Sequence, residues 1–366
     1  MANMDNTESL LRELSEAAGP PGGEHEVRQV LTRKLNGFGE LSQDRMGNLL
    51  CVKAGTAPSP RLALVAHMDE VGFMVRKILP DGLVRFAPLG GWWSQVLLGQ
   101  RVSVLTRDGR VPGVIAAASP HHFLVQEIDL LVSEAAFKLV RLQDMYIDVG
   151  ATSAEAVARL GICIGDLITP AADFQVLDDG TSYLGKAWDD RCGCALLVEI
   201  LARLQDRPHP NTVAAIASVQ EELGTRGAQA AAQAAAPDIA LIVEMAPAER
   251  LNSDGEAPQV QMGKGPALYV MDYMMVAHAG LRRWVEKIAG AIGVSVQHCL
   301  TEGGGSDGAP FHVLPGGVPT LTIGVPMRYA HSWGGIIRRD DYEAALKLWL
   351  AIMEHLDAAA LADIRG

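Results

Sequence analysis

At 366 residues the chain is too long for one ordinary core and suits two domains. Apolar residues make up 49% and charged residues 20%, a globular balance, and no apolar run reaches the roughly 18 residues a membrane span needs. The formal net charge of −12 argues against nucleic acid as a partner, which would require a basic surface. The first residues, Met-Ala-Asn-Met-Asp-Asn-Thr-Glu, lack the basic and apolar regions of a signal peptide. Cys51, Cys163, Cys192, Cys194 and Cys299 form an odd, scattered set, so a reduced, cytoplasmic protein is expected.

The chain opens with a predicted helix over residues 6–18, stopped by Gly19-Pro20-Pro21-Gly22-Gly23. A second helix carries Val27, Val30, Leu31 and Leu35 at helical spacing. Residues 48–53 read as a strand. Residues 61–67 are a continuous apolar run of the kind a parallel sheet buries on both faces, and it ends in His67 and Asp69. Between 74 and 165 the texture changes to short alternating segments at 75–78, 83–87, 101–105 and 110–116. Asp81-Gly82, Gly90-Gly91 and Asp108-Gly109 separate them, and Asp-Gly between apolar runs is a hairpin signal. This block reads as a small β domain, residues 74–165, inserted into an α/β domain made of 1–73 and 166–366.

From 183 the α/β texture returns. Trp188-Asp189-Asp190-Arg191 leads into an apolar helix over 192–204. The run 212–219 reads as a buried strand ending in Gln220, Glu221 and Glu222, followed by an Ala-rich helix over 228–236. A strand over 240–244 ends in Glu244, and a helix follows over 281–292. A strand over 318–326 runs into Arg328-Tyr329-Ala330-His331, and residues 340–356 form a closing amphipathic helix.

His67, Asp189, Glu222, Glu244 and His331 are therefore read as polar groups at strand ends, where an open α/β sheet places its ligand crevice. Singly, each has an ordinary explanation: a surface imidazole, an edge carboxylate or a helix cap. Capping accounts for one of Asp189 and Asp190 but not both. Jointly, two imidazoles and three carboxylates suit two divalent ions of the zinc or cobalt type, with one carboxylate bridging. Glu221 is left over as a general base for an activated water. Asp69 is placed to accept the second ring N–H of His67 and fix its tautomer. His25, His209, His278, His298 and His312 read as structural or surface groups. His121 and His122 lie together in the inserted block.

Five motifs in this order and spacing resemble the M42 family of metallo-aminopeptidases, also called tetrahedral or glutamyl aminopeptidases, some under the old name endoglucanase M. They are His-Met-Asp-Glu-Val-Gly-Phe (67–73), Trp-Asp-Asp-Arg-Cys-Gly (188–193), Gln-Glu-Glu-Leu-Gly-Thr-Arg-Gly (220–227), Gly-Gly-Gly-Ser-Asp-Gly-Ala (303–309) and Arg-Tyr-Ala-His-Ser (328–332). The resemblance covers essentially the whole chain. It implies a phosphorylase/hydrolase-like three-layer α/β catalytic domain with an inserted β-barrel-like (PDZ-like) dimerisation domain. It implies that His67, Asp189 and Glu244 bind one ion and Asp189, Glu222 and His331 the other, with Asp189 bridging, Glu221 as base and Asp69 behind His67. The expected activity is removal of N-terminal residues from short peptides by a homo-oligomer, built from dimers into a tetrahedral dodecamer, away from nucleic acid and membrane. Zinc, cobalt and manganese all suit these ligands. A di-metal amidase or deacylase on a specialised small amide, and a non-catalytic assembling relic, are the alternatives. Two departures from the family pattern stand out. Glu244 replaces the usual Asp, and residues 113–126 lack a Lys-Pro-Pro-His form, with Ser119-Pro120-His121 in its place.

Overall fold

A computed structural model describes residues 5–118, 140–249 and 258–366. The chain divides into two compact units, one of Met1–Glu70, Asp173–Ala330 and Gly334–Gly366, the other of Val71–Ala172 with His331–Trp333. In chain order the strands are β1 (Glu40–Gln43), β2 (Leu49–Lys53), β3 (Arg61–His67), β4 (Gly72–Ile78), β5 (Val84–Leu89), β6 (Arg101–Thr106), β7 (Gly109–Ala116), β8 (Tyr146–Asp148) and β9 (Leu167–Pro170). They continue as β10 (Gln175–Leu177), β11 (Ser182–Gly185), β12 (Thr212–Ser218), β13 (Ile239–Pro247), β14 (Ala267–Met271), β15 (Gln297–Leu300), β16 (Thr320–Arg328) and β17 (Gly335–Arg338).

The first unit is built on a mixed sheet of order β1-β2-β12-β3-β13-β16-β17-β11-β10, with β14 pairing β16 and β15. Its centre, β12-β3-β13-β16, is parallel and consists of the four continuous apolar runs of the sequence. Side chains alternate across the sheet. Leu62, Leu64 and Ala66 enter one apolar cluster with Leu11, Leu31, Leu197, Leu281 and Trp349. Ala63 and Val65 enter another with Ala228, Ala231, Ala232 and Phe311. Helix ends follow local signals. Asp5 accepts the Glu8 amide at 2.8 Å before Asn6–Glu16, and Asp357 accepts the Ala360 amide at 2.8 Å before Ala358–Arg365. No helix among the described residues is long and apolar enough to cross a membrane.

A buried ionic network fixes the segment leaving β3. Glu70 accepts both oxygens' worth of contact from Lys186 Nζ, at 2.6 and 2.7 Å, and lies 3.4 Å from an Arg191 terminal nitrogen. Arg191 also donates to the carbonyls of Met68 (2.7 Å), Leu14 (2.6 Å) and Ala17 (3.0 Å). All three side chains are excluded from solvent. Two cations and one anion are tolerated there because the backbone carbonyls supply further acceptors.

The second unit is a closed barrel of order β4-β5-β8-β7-β6-β9. Asp81-Gly82 and Asp108-Gly109 turn the antiparallel pairs β4–β5 and β6–β7. The alternating positions Phe73, Val75, Val84, Phe86, Val102, Val104, Ile115, Ile147 and Ile168 fill its interior. The cross-strand hydrophobic alternation read from the sequence is thus the barrel's inside and outside.

Replacing Arg191 with Met leaves Glu70 and the carbonyls of Leu14, Ala17, Gly19 and Met68 short of a donor. It is expected to lower the unfolding free energy by about 3–5 kcal/mol, read by urea denaturation of the full chain.

Candidate metal centre

His67 is the last residue of β3 and is paired in register with Ser218 of β12. Its Nδ1 lies 3.1 Å from the backbone carbonyl of Asp69. A carbonyl only accepts, so Nδ1 carries a proton and Nε2 faces the crevice. Nε2 lies 2.9 Å from Asp189 Oδ1 and 3.8 Å from Glu244 Oε1. One donor atom each from His67, Asp189 and Glu244 fall within 4.8 Å of one another. Glu244 lies inside β13 rather than at its end, because Met245 to Pro247 continue the pairing with β16. Its Oε1 accepts the Met245 amide at 3.0 Å.

Asp69 was expected to reach His67 through its carboxylate, but Oδ1 is 3.6 Å from Nδ1, beyond hydrogen-bond range, and the carbonyl is the nearer partner. The carboxylate instead accepts the amides of Glu221 (2.9 Å) and Glu222 (3.1 Å). The two preceding amides are held the same way, Val219 by Asn48 Oδ1 at 3.0 Å and Gln220 by Glu24 Oε1 at 3.2 Å. Four successive N–H groups past the end of β12 are thus bound by side-chain oxygens. This lets Gln220 and Thr225, both at φ +54°, occupy left-handed backbone on either side of the two glutamates.

The two aspartates at 189 and 190 divide the work. Asp190 is fully buried and non-helical, and its Oδ1 accepts the Gly193 amide at 3.0 Å, capping the regular helix that runs on from it to Arg203. A side chain at Gly193 would collide with that carboxylate. Asp189 faces His67, and one of its oxygens lies within 4.8 Å of one from Glu222.

Asp307, from the glycine-rich motif, escaped the sequence reading: the motif was visible, its role was not. It is 1% exposed, accepts from the Ser218 hydroxyl, and its Oδ1 has no hydrogen-bond partner. Asp190 Oδ2 is also buried without a partner. His331 belongs to the second unit, at φ +52°, with Nδ1 2.6 Å from the Gly91 carbonyl. His121, His122 and the Ser119-Pro120-His121 segment lie outside the described residues. His278 caps the helix Ala279–Ile292 by accepting the Leu281 amide at 3.2 Å, a structural role as expected.

Burial dominates the electrostatics. It raises Glu244 to about 8, helped by the Asp189 charge and opposed by His67. It raises Asp307 to about 6, against the pull of His67 and Ser218. It pushes Glu221 and Asp190 well above the carboxylate range, with neighbouring carboxylates adding to the effect. Burial alone would lower His67, but the neighbouring carboxylates of Asp189, Asp69 and Glu244 override it and hold the ring well above its ordinary value. Several acids thus press on one imidazole. Oxygen and nitrogen donors converging with excess negative charge fit a divalent cation of the zinc, cobalt or manganese kind.

His67 at the end of β3, Glu244 within β13 and Asp189 are donors of the kind that could hold a divalent ion. Residues 47–348 match the family model described as M42 glutamyl aminopeptidase, and the chain belongs to that family, whose peptidases are metal-dependent. The chain is 33% identical over 358 residues to the glutamyl aminopeptidase of Lactococcus lactis, covering 97% of this chain and 98% of that protein. It is similar to the crystal structure of a TET aminopeptidase from a marine-sediment Thaumarchaeota archaeon, with TM-score 0.92, 37% identity and 98% and 100% of the two chains covered. It is also similar to the Pyrococcus horikoshii TET1 peptidase, a protein that can assemble into a tetrahedron or a large octahedral shell, with TM-score 0.84, 30% identity and coverage of 96% and 100%.

Glu244, Asp307 and His67 all hold protons to higher pH in the folded chain than in the unfolded one. Their stabilisation is present at low pH and lost as pH rises through the raised values. Chelator-stripped protein is therefore expected to melt at lower temperature near about pH 9 than near about pH 6. Added divalent ion should restore more of the melting temperature at the higher pH, because binding releases those protons. Scanning fluorimetry with and without cobalt checks both.

Proposed function

We propose that the chain is a dinuclear aminopeptidase that removes N-terminal residues from short peptides. The observation that carries this reading is the convergence of His67, Asp189 and Glu244, with the His67 tautomer fixed by a carbonyl, in a member of an aminopeptidase family. His67, Asp189 and Glu244 would hold one ion. Asp189, Glu222 and His331 would hold the other, Asp189 being shared. When bound, the ions supply the positive charge that acidifies a water and polarises the scissile carbonyl.

Glu221 is the proton carrier. Its carboxylate takes the proton of the attacking water and returns it to the leaving amine. Burial supports this, since it raises the carboxyl above its ordinary range and makes it a better proton acceptor. Asp69 orients both partners of the reaction: its carbonyl sets the His67 ring and its carboxylate sets the backbone of Glu221 and Glu222. Glu244 has one methylene more than an aspartate, and its hydrogen bond to the following amide takes up that length. The barrel unit serves dimerisation, and dimers assemble into a larger homo-oligomer. The catalytic unit has the three-layer hydrolase arrangement. Five free cysteines suit a cytoplasmic location.

Glu221→Gln is expected to lower kcat by about 10²–10⁴-fold while metal content, measured by atomic emission, stays at the wild-type level. Near wild-type turnover in that variant would remove Glu221 from the mechanism. A panel of amino-acid p-nitroanilides and short peptides, run on chelator-stripped protein before and after zinc, cobalt or manganese, tests the activity. Metal-restored release of N-terminal residues is expected. No cleavage of any peptide by protein that still binds two ions would instead identify a specialised amidase.

A further inference from the structure

The two imidazoles proposed as ligands are oriented by the same chemistry and by different architecture. His67 gives its Nδ1 proton to a carbonyl two residues on in its own loop. His331 gives its Nδ1 proton to Gly91, 240 residues away in sequence, at 2.6 Å. A local partner comes with the loop. A remote one has to be delivered and held.

Both sides of that contact are clamped by aromatic rings within the barrel unit. Trp92, the residue after Gly91, donates its Nε1–H to the Gly72 carbonyl at 3.0 Å and stacks on Phe73 with centroids 4.8 Å apart and planes 15° apart. Trp333, two residues after His331, donates its Nε1–H to the Arg101 carbonyl at 2.6 Å. The Trp92 and Trp333 rings meet at 5.1 Å, and Phe86 closes on Phe73 edge-on at 4.9 Å. The acceptor segment and the imidazole segment are therefore tied to each other and to strands β4 and β6 of the barrel. His331 needs such support, because its backbone sits at φ +52°, which a non-glycine residue adopts only when its surroundings hold it. Trp93, the next residue, is 68% exposed and takes no part in the stack.

We propose that Gly91 and Trp92 form a positioning element for His331: the clamped Gly91 carbonyl holds the imidazole in the tautomer whose Nε2 lone pair is open to a divalent ion. The proposal rests on His331 being an ion ligand, as in the function proposed above. Trp92 touches neither ion nor substrate and acts only through the carbonyl beside it. The barrel then has a chemical task besides any contact with another subunit, since its interior packing sets the affinity of one of two metal sites.

The test is a Co²⁺ titration of metal-stripped full-length protein by calorimetry, with the visible cobalt spectrum followed in parallel. Wild type is expected to bind two equivalents. Trp92→Ala should weaken one of the two by about 10–100-fold, the usual cost of losing the group that orients a ligating histidine, and leave the other unchanged. Trp92→Phe keeps the ring stack and loses only the N–H donor, so a smaller loss at the same site is expected; it decides the matter if Trp92→Ala does not fold. Trp93→Ala should bind as wild type. Equal weakening of both sites, or wild-type binding by Trp92→Ala and Trp92→Phe, overturns the positioning role. His331→Ala separates the two readings. If it still binds two equivalents with wild-type affinity, His331 is not a ligand and the ligand set proposed above fails with it. If it loses one equivalent while the Trp92 variants bind normally, only the positioning role fails.

Discussion

Negative charge buried around His67 is the constraint on which the rest of the catalytic unit depends. Asp189 and Glu244 flank one imidazole, and Glu221 and Asp307 bear on it electrostatically. Carboxylates out of water repel one another unless they are protonated or neutralised by a cation. Without an ion the chain resolves the conflict with protons, which is why burial and mutual repulsion raise Glu244 to about 8. The fold has to hold these groups together against that repulsion. Parallel strands β3 and β13 fix His67 and Glu244 from a sheet covered by apolar clusters, and the Glu70–Lys186–Arg191 network pins the chain as it leaves β3.

The unit contains two kinds of buried ionic group, and their contrast separates structure from chemistry. Glu70 is matched: two cations reach it, and Arg191's remaining donors go to carbonyls. Asp307 and Asp190 are not matched, each keeping one buried oxygen without a partner. A matched network stabilises by being complete, whereas an incomplete one is kept where something else completes it. The His67 charge bears on both unmatched carboxylates, whereas Glu70 is neutralised by cations of its own.

Much of this was legible because burial imposes itself on sequence. The four central strands stand out as continuous apolar runs since both their faces are covered, and the barrel strands alternate because only one face is. Strands β1, β8 to β11, β14, β15 and β17 were not read from the sequence. They are short, and draw their stability from pairing rather than from a pattern of their own. Side-chain identity exposed His67, Asp189, Glu222 and Glu244, but it says nothing about backbone atoms. Hence the Asp69 and Gly91 carbonyls that set the two imidazoles were invisible, the second doubly so because it comes from a distant segment. Asp189 was named as the candidate ligand from the sequence, and the helix geometry gives the capping role to Asp190.

The grip of Asp69 on two consecutive amides has an effect beyond local order. Glu221 and Glu222 hang from one carboxylate through neighbouring N–H groups. If the loop drifts, both side chains drift together, so displacement enters as a shared offset and their separation is preserved. Thermal motion there is common-mode. The proton carrier and the ion ligand proposed above, mounted this way, would stay in step with each other.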